Sequence, residues 1–341
     1  MRAGCRLLAV TVAFLIAAAS ATAQFAKPTV RAPRLLTITA TPIESFNRSE
    51  PDRVRFGALE FLGGLVLEAN DDRFGGISGI RMTDDNDGFL AITDRAHWLR
   101  GRLLFEGRRP VGIENLTTAP MLDANRGSLA SGSSFDTEAL ALGHEGDVFV
   151  GIERVHRVVR YDFGKRNFFS LARNVDVPRG MRDLPRNQGI EGLVFIPHNR
   201  PLGGSLIAFS ERGLDKAGNL RAFLVGGPTP GEFAVRRAGD FDITDAALIP
   251  GGDILILERY FSWLRGIGMR IRLIRLADIK PGAVIDGTML IDAGNAHQID
   301  SMEGIAVHRA ANGETVITVV SDDNFSRLQR TLLLRFALIE D

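Results

Sequence analysis

Five times along the chain, a short apolar run opens on an acid or serine followed by a small residue, turns, and returns as a second apolar run ending in an acid. The units are ISGIRMTDDNDGFLAITDR (77–95), TEALALGHEGDVFVGIER (137–154), IEGLVFIPHNRPLGGSLIAFSER (190–212), TDAALIPGGDILILER (244–259) and MEGIAVHRAANGETVITVVSDD (302–323). Their opening positions, Ser78, Glu138, Glu191, Asp245 and Glu303, lie 60, 53, 54 and 58 residues apart. The residues that follow are Gly79, Ala139, Gly192, Ala246 and Gly304. The second runs end at Asp94, Glu153, Glu211, Glu258 and Asp322, with an arginine next in the first four and Asp323 in the fifth. Such a repeat commits the chain to an array of small units that bury their faces on one another.

Each unit reads as a hairpin. The turns carry Asp87-Gly88, Glu145-Gly146, Gly203-Gly204, Gly251-Gly252 and Asn312-Gly313, residue types that tolerate the positive φ of tight turns. Runs such as DILILE and VITVV are apolar on consecutive residues, as strands buried on both faces are. Strands repeating about every 55 residues, with almost no helical periodicity, predict an all-β, six-bladed β-propeller. The sixth blade is expected from RLLTITATPI (34–43), RFGALEFLGGLVLEA (55–69) and TLLLRFALIE (331–340), the N- and C-terminal strands pairing to close the ring. Five or seven blades remain open, and a pair of β-sandwiches explains the strands but not their spacing.

The N-terminus reads as an address. Arg2 and Arg6 precede a 13-residue apolar run (7–19), and Ala21, Thr22 and Ala23 form a small-x-small cleavage site. That run is shorter than the roughly 20 residues that span a bilayer. Cleavage after Ala23 leaves a single domain over 24–341, exported to the periplasm or beyond, with no later membrane span and no cysteine, since the one cysteine is Cys5. Multi-cysteine zinc and iron–sulfur sites are therefore excluded. With 41 basic and 41 acidic residues, nothing supplies the basic face that nucleic acid requires. A monomer is expected.

In an antiparallel hairpin, the start of the first strand and the end of the second share one end. If the first strands line the axis, Glu138, Glu191, Asp245 and Glu303 converge on one rim. Two like charges about 5 Å apart at an effective dielectric near 20 cost on the order of 3 kcal/mol. Arginines, a raised pKa or a bound cation must offset that, and hard oxygen ligands favour calcium or magnesium over zinc. The competing account makes the repeated acids and arginines staples between blades. The irregular segment 173–188 brings Arg182 and Arg186 toward Glu191, where they would meet an anionic substrate or simply lie in solvent. The six histidines show no metal-ligand spacing, Gly76-Ile77-Ser78-Gly79 is not a nucleophile elbow, and Asp84-Asp85-Asn86-Asp87-Gly88 reads as a solvated turn rather than a calcium loop.

The pieces GGISGI (75–80), FDTEALAL (135–142), NQGIEGLVF (187–195), DITDAALIPGGDILILER (242–259), DSMEGIAV (300–307) and SDDNFSRLQRTLLLRF (321–336) together resemble the bacterial phytase-like family, described as having the esterase-like activity of phytase. The resemblance implies an exported propeller that hydrolyses a phosphoester or ester. The expectation is metal-assisted phosphoester hydrolysis of a small anionic substrate, with calcium held by Glu138, Glu191, Asp245 and Glu303. Glu191, Glu138, Arg182 and Arg186 are the expected catalytic groups. A lactonase or other carboxylic-ester hydrolase is the nearest rival, and a non-catalytic binding propeller the next.

Overall fold

The computed structural model describes residues 32–83, 86–131 and 135–339. The leader expected at 1–23 lies outside them, as do Asp84 and Asp85 of the acidic turn. The described residues form five sheets, each a blade built on one repeat. Blade 1 runs outward from Ile77–Met82 through Gly88–Thr93, His97–Glu106 and Arg109–Pro120, with Arg34–Leu35 on its edge. Blade 2 is Thr137–Leu142, Asp147–Ile152, Arg157–Asp162 and Arg173–Val175. Blade 3 is Ile190–Phe195, Leu206–Leu214, Leu220–Val225 and Gly231–Val235, extended by a parallel Val284–Ile285. Blade 4 is Asp242–Leu248, Ile254–Ser262, Gly266–Ile274 and Thr288–Ala293.

Blade 5 takes Ser301–Arg309, Thr315–Asp322 and Thr331–Leu338 from the C-terminal end and adds Leu59–Ala69 and Ile38–Ile43 from the N-terminal end. Thr331–Leu338 pairs antiparallel with Leu59–Ala69, from Thr331 opposite Leu67 to Leu338 opposite Leu59. The segments expected to make a sixth blade thus belong to the fifth, apart from Arg34–Leu35 on the edge of blade 1, and the propeller has five blades. The expected pairing of the chain's two ends is present, within a blade that the fifth repeat begins.

The run of consecutive apolar residues has the anticipated cause. All six residues of Ile77–Met82, all six of Gly88–Thr93 and all eight of Thr315–Asp322 are buried, because each sheet is covered on both faces. A hydrophobic cluster fills each gap between neighbours: blade 1 with 2 around Trp98 and Tyr161, 2 with 3 around Phe223, 3 with 4 around Phe209, 4 with 5 around Phe46 and Phe336, and 5 with 1 around Leu99 and Leu333. The first strands stand side by side around the axis, and that of blade 5 lies against that of blade 1. There a Cβ added to Gly304 would stand 3.2 Å from Gly79 Cα and 3.1 Å from Ile80 N, so the small residue after each opening position reflects crowding at the axis.

Candidate active site

The pairing registers aim the opening residues. In four blades one residue of the first strand is skipped, a β-bulge: Ser78 in blade 1, Glu138 in blade 2, Glu191 in blade 3 and Glu303 in blade 5. A bulged residue faces away from the pairing and is left unmatched, which suits a side chain delivered to a site. In blade 4 the skipped residue is Thr244, while Asp245 pairs opposite Leu257. Thr244, whose hydroxyl donates to Met302 O at 2.9 Å, is therefore the counterpart of Glu191, and Asp245 is the counterpart of Gly192.

Asp245 goes elsewhere for that reason. Its carboxylate, fully buried, receives both arms of Arg81 at 2.7 and 2.8 Å and the amides of Ala246 and Ile305. Arg81 also donates to the carbonyls of Ile80, Leu193, Ala246 and Ile305, which belong to four different blades. This pair plugs the axis. The expected role of Asp245 as a metal ligand meets an oxygen set already filled by an arginine. Beyond the plug, the opposite end of the axis opens into a cavity of about 570 Å³, lined by Phe195, His144, His198 and apolar strand ends.

On the near side of the plug the acids gather. Carboxylate oxygens of Glu153, Glu191 and Glu211 lie within 4.8 Å of one another. Glu153 comes from the end of blade 2's second strand, where its Oε1 accepts the Gly189 amide at 3.0 Å. Glu211 lies within blade 3's second strand, Leu206–Leu214, just past Ser210, which pairs opposite Ile190. Glu191, almost completely buried, makes no hydrogen bond among the described residues. Burial, then repulsion from Glu211 and Glu303, pushes its carboxyl well above the usual range, against the pull of Arg259. Burial raises Glu211 to about 7 and Asp322 to about 8. Asp94 rises to about 6 for the same first cause, and Asp136 and Asp323 add to it. Glu138 is driven up by burial and then by Asp136, with repulsion from Glu303 adding to it.

One cation stands among them. Arg259 Nε lies 2.9 Å from Glu303 Oε1, and its Nη2 is 3.8 Å from Glu211 Oε1. Glu303 also accepts from Ser301 Oγ at 3.1 Å. The other post-strand arginines act as ties: Arg154 to Asp136 at 2.6 Å, Arg212 across to Asp242 of blade 4, and Arg95 over the Phe325 ring at 3.3 Å. Glu258 is likewise taken, fully buried against Arg272 at 2.5 Å.

The loop expected to deliver guanidinium groups turns Arg182 to partners of its own. Arg182 closes the short helical turn Arg179–Arg182 and donates to Asp176 Oδ1 at 3.0 Å and Val177 O at 2.9 Å, while Arg186 is exposed. What the loop contributes is the Gly189 amide on Glu153. Sequence reasoning thus passed over Arg259, Glu153 and Glu211 as site residues. Their signal was visible, an acid-arginine pair closing the second strand, but it is shared by residues that only tie blades together.

The donor set fits a hard divalent cation. Calcium–oxygen distances of about 2.3–2.6 Å allow two ligand oxygens to stand up to about 5 Å apart, which the three glutamates satisfy, and among the described residues no histidine or cysteine joins the cluster. Three groups would hold it: Glu153, Glu191 and Glu211.

Among known proteins, the solved structures to which this chain is similar include a gluconolactonase of Xanthomonas campestris, described as important in glucose secondary metabolic pathways, at 12% identity with a TM-score of 0.43, covering 91% of this chain and 99% of that one. Another is virginiamycin B lyase from Staphylococcus aureus, at 10% identity with a TM-score of 0.39, covering 83% and 85%. A search of curated proteins found no significant match. The sequence model described as "Phytase-like: Esterase-like activity of phytase" matches residues 72–325, from the first repeat to the loop after the last acid, and the chain belongs to this phytase-like family.

Proposed function

We propose that this protein is an exported, monomeric phosphoester hydrolase that works at the acidic mouth of the propeller axis with a bound calcium ion. The observation that carries the reading is Glu191, a nearly buried carboxylate without a hydrogen-bond partner among the described residues, facing two further glutamates. Such a group is costly to keep charged unless a cation completes it. A divalent cation supplies Lewis acidity toward a phosphoryl oxygen and a more acidic water. Glu153, Glu191 and Glu211 hold it. Arg259, already inside the mouth, meets the charge of an anionic substrate once the glutamates are engaged. Glu138, whose carboxyl burial and then Asp136 push well above the usual range, is the group placed to act as a general acid. The family's description also names an esterase-like activity, so a carboxylic-ester or lactone substrate is the second reading.

Calcium titration joined to a screen of aryl phosphates, aryl acetates and lactones tests both. Binding only the folded state stabilises by about 2.7 kcal/mol at a hundredfold excess over Kd, so calcium should raise the melting temperature and chelation lower it. Glu191→Gln should blunt that response and abolish phosphate-ester turnover. A wild-type melting curve indifferent to calcium ends the metal reading. Calcium binding with no turnover of any ester leaves a ligand-binding propeller.

A further inference from the structure

The three most exposed large hydrophobic side chains among the described residues are Leu264, Leu328 and Trp263, at 97%, 94% and 93%; the next, Leu35, is at 71%. All three sit on corresponding loops of neighbouring blades. Strand Ile254–Ser262 pairs with Gly266–Ile274 up to Ser262 opposite Gly266, so Trp263, Leu264 and Arg265 form the bare tip of a hairpin. Leu328 lies between Thr315–Asp322 and Thr331–Leu338, the equivalent connection in blade 5. The two loops even share a pattern, Phe261-Ser262-Trp263-Leu264 and Phe325-Ser326-Arg327-Leu328. Both leave the second strands at the acidic end of the axis. The segment between blades 4 and 5 braces both bases: Asn295 bonds Ile267 N and Arg265 O at 3.0 and 2.9 Å, and Asp300 accepts Arg330 N at 3.1 Å.

From these placements we propose that the two tips dock the acidic-mouth face of the propeller onto a lipid surface. The side chains are convex: nine-tenths exposed, they line no groove, whereas small ligands are held in concave sites. At about 3.3 Å per strand residue, Trp263 stands roughly 13 Å along the chain beyond Arg259, too far to contact a small substrate in the mouth. Projecting tryptophan and leucine are the side chains that enter the headgroup boundary. Arg327 flanks the blade 5 tip and makes no ion pair among the described residues, so anionic headgroups meet basic charge there, while Arg265 at the blade 4 tip is ion-paired with Asp240. This inference does not depend on the chemistry proposed for the mouth.

The chain's two tryptophans make the test direct, because Trp98 is fully buried and Trp263 is not. Vesicles of phosphatidylcholine mixed with phosphatidylglycerol should shift the emission of Trp263 to the blue and co-sediment the protein, more weakly at high salt. Leu264→Ser combined with Leu328→Ser should cut vesicle partitioning roughly tenfold or more while leaving the melting temperature unchanged, because neither side chain is packed. Emission and sedimentation unaffected by these vesicles would overturn the proposal, as would undiminished binding by the double variant. A blue shift that appears only with an added protein assigns the tips to a protein partner and equally overturns it.

Discussion

Arg81 gathers more hydrogen bonds than any structural role at a rim would need. Its guanidinium meets a fully buried carboxylate and four carbonyls from four blades, so it is both the counter-charge of Asp245 and the fastener of the first strands. Removing one partner of a buried pair leaves the other charge uncompensated, which typically costs about 3–5 kcal/mol. Arg81→Met should therefore lower stability by that order, and adding Asp245→Leu should restore a good part of it, read by denaturant unfolding of the two variants. An Arg81→Met protein as stable as the wild type would sink this account. The same pair shows where reading the sequence stopped. In TDAAL the acid looks like the opening residue of a repeat, yet the bulge falls one residue earlier, on Thr244, and a one-residue slip sends a side chain to the other face. Glu138, Glu191 and Glu303 were legible because the bulge coincides with the acid. Nothing in an apolar strand such as ISGIRM announces that its arginine fills the axis.

At the scale of the element, Thr331–Leu338 is the strand on which blade 5 depends. It lies between Thr315–Asp322 and Leu59–Ala69, and it brings Leu332, Leu334 and Phe336, all fully buried, to the cluster between blades 4 and 5. Deleting residues 331–341 strips partners from both neighbours and opens two apolar sheet edges. The expected result is aggregation or rapid proteolysis of the whole protein; a soluble truncation with an unchanged melting temperature would contradict it. The blades themselves were legible, since repeat hairpins carry their own turn residues and doubly buried strands read as unbroken apolar runs. Their number was not. Dividing chain length by the repeat spacing treats every strand as part of a new unit, whereas Leu59–Ala69, Ile38–Ile43 and the short Arg55–Phe56 extend an existing sheet to six strands. Strand partners chosen across the full length of the chain leave no local mark.

For the molecule as a whole, a formal charge of +0 conceals a gradient: acids are concentrated inside one end of the axis, with Arg259 the cation at their centre. In the absence of a bound cation the fold relieves that crowding with protons. Burial lifts Asp94 to about 6, Glu211 to about 7 and Asp322 to about 8, and it raises Glu138, Glu191 and Glu303 as well. Each is raised above its unfolded value, so between about pH 4.5 and pH 8 the folded state binds more protons than the unfolded state. Stability is then fully present at the acidic end of that window and falls as pH rises through the folded values. At about 1.4 kcal/mol per pKa unit, the loss by pH 8 is on the order of several kcal/mol, tempered by the partial solvent access of Asp94. Divalent cation and proton compete for the same oxygens, so calcium should rescue little at pH 5 and most at pH 8, releasing protons as it binds. Denaturant unfolding at both pH values, with chelator and with calcium, checks the sign. Chelated protein that is no less stable at pH 8 than at pH 5 would show that the acids are charged in the folded state already and paired by some other means. The Glu211→Gln variant sharpens the reading, because it removes a charge without removing the side chain: it should flatten the pH dependence and weaken the calcium response together, as only a shared set of oxygens requires.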